Sequence, residues 1–273
     1  LTISSTRSAD LVEEIVRIFG LDNITSEPLL NFEQPSKPIL TKKQKQAKMI
    51  KRTIASRGLL ETISYSFINK KHSIEFDGGN NSLKIINPIS DELSEMRPTP
   101  LASLVNIGNE NYKRGYMDIG IFEVGPGFKG IEPENQITIA AGLRLGTNRY
   151  QGSGKDWQGS EKVNTFDAKE DVISVLELLN LNTDSNKVER SAPDYYHPGR
   201  SGQIINSNGD ILASFGELHP KVIKERDFKT AVAFEIFIDS INNQKIKTKE
   251  NMAPDISNLQ QVRRDFSFVV SND

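Results

Sequence analysis

Asp10, Glu13 and Glu14 stand at i, i+3 and i+4, so a helix puts their three carboxylates on one face. Neighbouring carboxylates repel unless a cation offsets them, and an oxygen-preferring divalent ion such as Mg2+ suits them. The same acids in a first helical turn also favour the helix dipole as plain solvated side chains, and spacing does not decide between the two. A second concentration of charge has the opposite sign. Lys42, Lys43, Lys45, Lys48, Lys51, Arg52 and Arg57 follow one another with no acid between them. Such a run fits nucleic-acid phosphates gripped without sequence readout, and equally a solvated helix face. Nucleophilic chemistry is thinly supported. Ser201 with His197 or His219 and an aspartate is a combination that any chain of this length offers, and it lies in no Gly-x-Ser-x-Gly pattern. No Gly-x-x-x-x-Gly-Lys-Ser/Thr phosphate loop and no His-Glu-x-x-His is present. With no cysteine, disulfides and thiolate metal sites are excluded, and three histidines are poor material for zinc. The pairs His197-Pro198 and His219-Pro220 read as loop shapers, because proline fixes its own φ and extends the residue before it.

The elements that must position these residues follow from periodicity. Residues 8–20 predict an amphipathic helix with Ser8 as N-cap and Gly20 as stop, burying Leu11, Ile15, Ile18 and Phe19. A helix this short cannot bury that face alone, so the segment reads as the end of a domain that begins earlier. Pro28, Pro35 and Pro38 mark a linker, and Thr41 and Gly58 bracket a helix over 42–57. Residues 61–68 alternate, with Ile63, Tyr65 and Phe67 expected inward and Thr62, Ser64 and Ser66 outward. A turn at 77–81 and a short strand at 83–86 follow, then a helix at 101–112 and strands at 118–124 and 137–145. Residues 146–164, rich in Gly and Ser, predict a long mobile loop. Asp167 is the expected cap of the next helix, with Glu170 in capping-box position. Asn208-Gly209 signals a hairpin between strands at 203–205 and 211–215, and a last strand of this domain is expected at 231–238. Residues 239–259 read as a second linker, and 262–270 as the strand opening another domain.

The 273 residues are enough for about two domains at ~100–200 residues each. A net charge of -2 gives no global signal for nucleic acid, so any RNA contact must be local. No apolar run long enough to span a membrane occurs.

Four stretches of the central region are similar to the beta subunit of bacterial phenylalanyl-tRNA synthetases. They are Asn87 to Pro98, Phe122 to Pro126, Phe166 to Lys169, and Tyr196 to Ser201 continued by Gly216 to Pro220. Asp10 to Ile15 upstream and Val262 to Phe268 downstream match in the same order. The resemblance implies an α+β fold: the antiparallel sheet with flanking helices of class II aminoacyl-tRNA synthetases, in a degenerate catalytic-like form, plus partial flanking domains. Residues 1–26 then end a winged-helix-like domain, 27–40 link, 41–238 form the catalytic-like domain, 239–259 link again, and 260–273 open a ferredoxin-like anticodon-binding domain.

Activation of an amino acid by ATP needs positive charge fixed against the phosphates. Class II sites supply it through an Arg-x-Glu strand and a Gly-x-Gly-x-x-Arg segment. Here the first counterpart, around Phe122 to Gly125, keeps Glu123 but has Ile121 in place of the arginine, and the second, Ala233 to Phe237, has neither Gly nor Arg. The resemblance therefore implies a non-catalytic subunit. Its partners are the catalytic alpha subunit, which uses the ATP, in a cytoplasmic alpha2beta2 heterotetramer, and tRNA(Phe), with no membrane and no DNA. The 42–57 helix and the 61–68 strand are the expected contact elements. It also implies that Asp10, Glu13 and Glu14 belong to a shared magnesium site, although Ser4 stands where a fourth acid is expected. Two alternatives remain at this point: a self-sufficient ligase with Arg114 or Arg144 replacing the missing arginines, and a stand-alone RNA-binding module using the 42–57 helix.

Overall fold

The computed structural model describes residues 7–27, 38–77, 79, 81–147, 161–181, 186–242, 259–260 and 262–271. Contacts divide the chain into two units, Leu1–Ile39 and Leu40–Asp273. In the first, α1 (Ser8–Phe19) ends at Gly20, whose φ of 93° is a left-handed stop, as expected. The N-cap is Arg7 rather than Ser8, and the Asp10 carboxylate accepts the Arg7 amide. The apolar face of α1 is not buried: Leu11, Ile15, Ile18 and Phe19 are all exposed. The sequence specified the stripe, but no described residue covers it.

In the second unit, α2 (Lys42–Ser56) starts at the capping box between Thr41 and Gln44 and buries Gln46, Ile50 and Ile54, four residues apart. The chain continues through β1 (Leu60–Glu61), β2 (Phe67–Ile68), α3 (Lys70–Glu75), β3 (Glu95–Met96) and α4 (Pro100–Lys113). After these come β4 (Ile119–Phe128), β5 (Gln136–Leu145), α5 (Thr165–Leu178), β6 (Lys187–Glu189), β7 (Tyr196–Ile205), β8 (Ile211–Leu218), α6 (Pro220–Glu225), β9 (Ala231–Phe237) and α7 (Ile238–Asn242). The main sheet has the order β1-β4-β5-β9-β8-β7-β6, antiparallel except for the parallel β1–β4 pair. Strand alternation divides the core. Phe122, Ala140, Phe234 and Ile236 face α2 and α5, while Ile121, Ile139, Leu143 and Ala233 face α4.

Several expectations need correction. Residues 61–68 are not one strand: only two-residue pieces pair, at β1 with β4 and at β2 with β3. The alternation is real but its phase is inverted. Ile63 and Tyr65 are exposed, while Thr62, Ser64 and Ser66 are half-buried. Asn164, not Asp167, caps α5, and Asp167 is the reciprocal partner in that box. Residues 83–86 form no strand but the end of a 3-10 turn, Asn81–Leu83, and a single bridge from Lys84 to Glu95. The hairpin expected at Asn208-Gly209 is present between β7 and β8, its turn held because Asn206 Oδ1 accepts from the amides of Asn208 and Asp210. Residues 262–271 carry no strand, since no described segment pairs with them. The loop expected at 146–164 and the linkers at 27–40 and 239–259 fall largely outside the described residues.

Candidate functional site

The two segments expected to correspond to the catalytic motifs lie on β4 and β9, and their carboxylates, on the face under α4, are bonded to other side chains of the chain. Glu123 on β4 and Glu235 on β9 both lie on this face and are 5% and 1% exposed. Arg97, the largest fully buried side chain, donates to Glu123 Oε1 at 2.7 Å, to Ser64 Oγ at 2.8 Å and to the Pro126 carbonyl at 3.0 Å. Gly125 makes the geometry possible: a Cβ there would lie 2.7 Å from Arg97 Nη2.

Glu235 accepts from the hydroxyls of Thr99, Tyr195 (2.9 Å) and Tyr196 (3.1 Å). Burial pushes its carboxyl above the usual range, and the three hydroxyls pull it partly back. Both tyrosines are pushed well above their ordinary value, by burial first and by the Glu235 charge second. Beside them opens a cleft of about 810 Å3 of mixed charge, lined by Lys71, Asp77, Arg190, Asp194 and His219 among others. The tyrosine rings stand between this cleft and Glu235. Sequence reasoning missed the Glu235 cluster. The signal was a lone carboxylate in the otherwise apolar run Ala231 to Phe237.

The other buried guanidinium groups are also engaged. Arg144 donates to both oxygens of the fully buried Asp171, at 2.7 and 2.9 Å, and Arg57 donates to the same carboxylate. Arg226 makes a bidentate pair with Glu75. Arg114, the other proposed replacement for a missing phosphate ligand, is an exposed C-cap of α4. Neither Arg114 nor Arg144 therefore faces a hollow beside Glu123 and Glu235.

The histidines behave as loop shapers. His197 Nδ1 accepts from the Gly199 amide and His219 Nδ1 from the Lys221 amide. Ser201 Oγ donates to the His197 carbonyl at 2.6 Å, not to an imidazole, which removes the triad arrangement.

On the outside, the inverted phase of residues 61–68 leaves apolar side chains in solvent. Ile63 and Tyr65 are 90% and 75% exposed; Leu60 on β1, at 58%, and Ile86 and Ile89 on the segment before β3, at 99% and 94%, are exposed as well. The cations of α2 are divided. Lys43 pairs with Asp239, Lys51 with Glu61 and Arg57 with Asp171, while Lys42, Lys45, Lys48 and Arg52 are exposed and form no ion pair among the described residues.

Asp10, Glu13 and Glu14 share α1, but their side chains do not converge. Asp10 caps its own helix and Glu14 pairs with Arg17 at 2.7 Å. Among the described residues no group of three acids or histidines is placed to hold a metal ion. The donor chemistry suits magnesium, but the arrangement by itself does not form the site.

The fold is that of a class II aminoacyl-tRNA synthetase domain. The pyrrolysyl-tRNA synthetase domain of Desulfitobacterium hafniense superposes with a TM-score of 0.52 at 13% identity, over 72% of this chain and 66% of that one. Residues 31–238 match the family described as the phenylalanyl tRNA synthetase beta chain CLM domain. The phenylalanine–tRNA ligase beta subunit of Bartonella henselae is 42% identical over 96% of this chain, and that of Paramagnetospirillum magneticum 41% over 97%. The chain belongs to the phenylalanyl-tRNA synthetase beta chain family, and it spans 33% of the length of these relatives.

Proposed function

We propose that this chain is the catalytically silent core of a phenylalanine–tRNA ligase beta subunit and docks on a catalytic alpha subunit, which binds ATP and joins phenylalanine to tRNA(Phe). The observation that carries the docking is the outward pair Ile63 and Tyr65 between β1 and β2, with Leu60, Ile86 and Ile89 exposed as well. Alternating strands normally turn their apolar side inward, so a pair inverted toward solvent favours a protein partner as its cover. An obligate interface of this kind buries more than about 2,000 Å² and is apolar at its centre. The silence is supported by the closed face. A site that stabilises charge on a leaving pyrophosphate needs cations free to meet it, whereas Arg97, Arg144 and Arg226 each hold a carboxylate.

The test is co-purification of the complete protein with its alpha subunit, wild type against the double variant Ile63→Asp, Tyr65→Asp. Wild type elutes as an alpha2beta2 assembly and the variant as separated subunits with an unchanged melting temperature. Assembly of the variant at wild-type strength would remove the docking surface.

In the same reading, residues 1–26 end a winged-helix-like domain and 260–273 open an anticodon-binding domain, whose exposed Phe266 and Phe268 rings stack at 6.4 Å. Asp10, Glu13 and Glu14 take magnesium only in the assembly, where further ligands complete what these three lack; titration of the assembled protein with and without Glu13→Gln tests this. A second reading, RNA phosphates on α2, is favoured by the exposed Lys42, Lys45, Lys48 and Arg52. It requires tRNA affinity that falls steeply with salt and is reduced in Lys45→Ala, Lys48→Ala.

A further inference from the structure

The Arg97–Glu123 pair is buried under α4, where it meets other residues of this chain. Its remaining contacts run to the docking segment. Ser64 sits between the exposed Ile63 and Tyr65, and its hydroxyl accepts from Arg97 Nη1 at 2.8 Å and donates to Glu123 Oε2 at 2.5 Å. The Arg97 amide donates to the Ser66 carbonyl at 2.9 Å, and the Thr62 amide donates to the carbonyl of Phe122, next to Glu123, at 2.8 Å.

Between the end of β1 at Glu61 and the start of β2 at Phe67, no ladder holds the backbone. We propose that Arg97, Glu123 and Ser64 form a latch that fixes residues 62–66 with Ile63 and Tyr65 facing outward, presenting the docking surface ready-made; this rests on the docking reading above. The physical reason is a competition. A one-residue slip would turn Ile63 and Tyr65 inward, which apolar burial favours. That slip would also withdraw the Ser64 hydroxyl from a guanidinium and a carboxylate that are 1% and 5% exposed, leaving charged groups short of a partner where water does not reach them. The pair thus converts buried charge into strand phase. Arg97, Glu123 and Ser64 are positioning residues, since none of them meets the partner directly.

The experiment compares Ser64→Ala, Ser64→Thr and Ile63→Ala in the complete protein. Association with the alpha subunit is measured at equilibrium, and amide hydrogen exchange is measured on the unassembled protein. Ser64→Ala removes one hydroxyl without touching the core, so the fold survives. It weakens association about tenfold, the loss expected for hydrogen bonds to charged groups. It also raises exchange across 62–68 while β4 and β5 stay protected. Ser64→Thr, which keeps the hydroxyl, restores both. Ile63→Ala weakens association and leaves exchange at the wild-type level, which separates contact from positioning. Wild-type association and exchange in Ser64→Ala would overturn the latch, and so would a rise in exchange spread over the whole sheet. Failure of the wild-type protein to associate would sink the docking reading instead. The latch is then judged on exchange alone, and an unchanged profile in Ser64→Ala overturns it.

Discussion

Glu235 shows at the scale of one residue how a buried carboxylate is held by its neighbours. It lies on β9 under α4, where Thr99 donates to its Oε1, Tyr195 and Tyr196 donate to its Oε2, and burial raises its pKa. A carboxyl raised in the folded state favours folding in its protonated form. Its contribution is full below the unfolded value, about pH 4, and is lost as pH rises through the raised folded value. The stability of wild type relative to Glu235→Gln therefore falls as pH increases above about 4, measured by urea unfolding at stepped pH. A difference that is flat or rises with pH would contradict the assigned shift. The sequence showed that this strand lacks the arginine and glycines of a working site, while β4 keeps Glu123. The tyrosine cap on Glu235 was not legible, because residues 195–196 and 235 meet only through strand order.

At the scale of elements, periodicity gave the helices well and the strand faces less well. Thr41 and the left-handed Gly58 delimit α2 as the sequence signals said, with Gln44 completing the cap. Residues 61–68 show the limit. A period of two is readable in a string of letters, but which side faces the core is decided by partners that the string does not identify. Here the hydroxyl side won, because Ser64 completes a buried ion pair. The short β6, α3 and α6 carry too few residues for a periodic signal. Gly216, within the stretch that resembles the family, has a plain structural role. Its φ is 148°, and a Cβ there would lie 2.5 Å from the Ser201 Cα, where β7 bulges against β8. Gly216→Ala is expected to cost about 1–3 kcal/mol from backbone strain and the forced shift of β7, read by chemical unfolding. A loss below about 0.5 kcal/mol, the usual range for surface changes, would show that the bulge relaxes freely.

Across the whole molecule, apolar side chains collect outside as well as inside. The α1 face, Ile63 with Tyr65, and Phe266 with Phe268 are all exposed. Magnesium, by contrast, gains nothing from this chain's geometry alone, since Asp10 and Glu14 are already engaged within α1. The central claim is that no buried cation of the described fold is available to a nucleotide. Phenylalanine-dependent exchange between ATP and pyrophosphate, assayed with the purified chain in the absence of any alpha subunit, tests it most directly. The account predicts exchange no greater than that of a protein-free control. Exchange above that control, abolished by Arg97→Met or Arg144→Met, would contradict it.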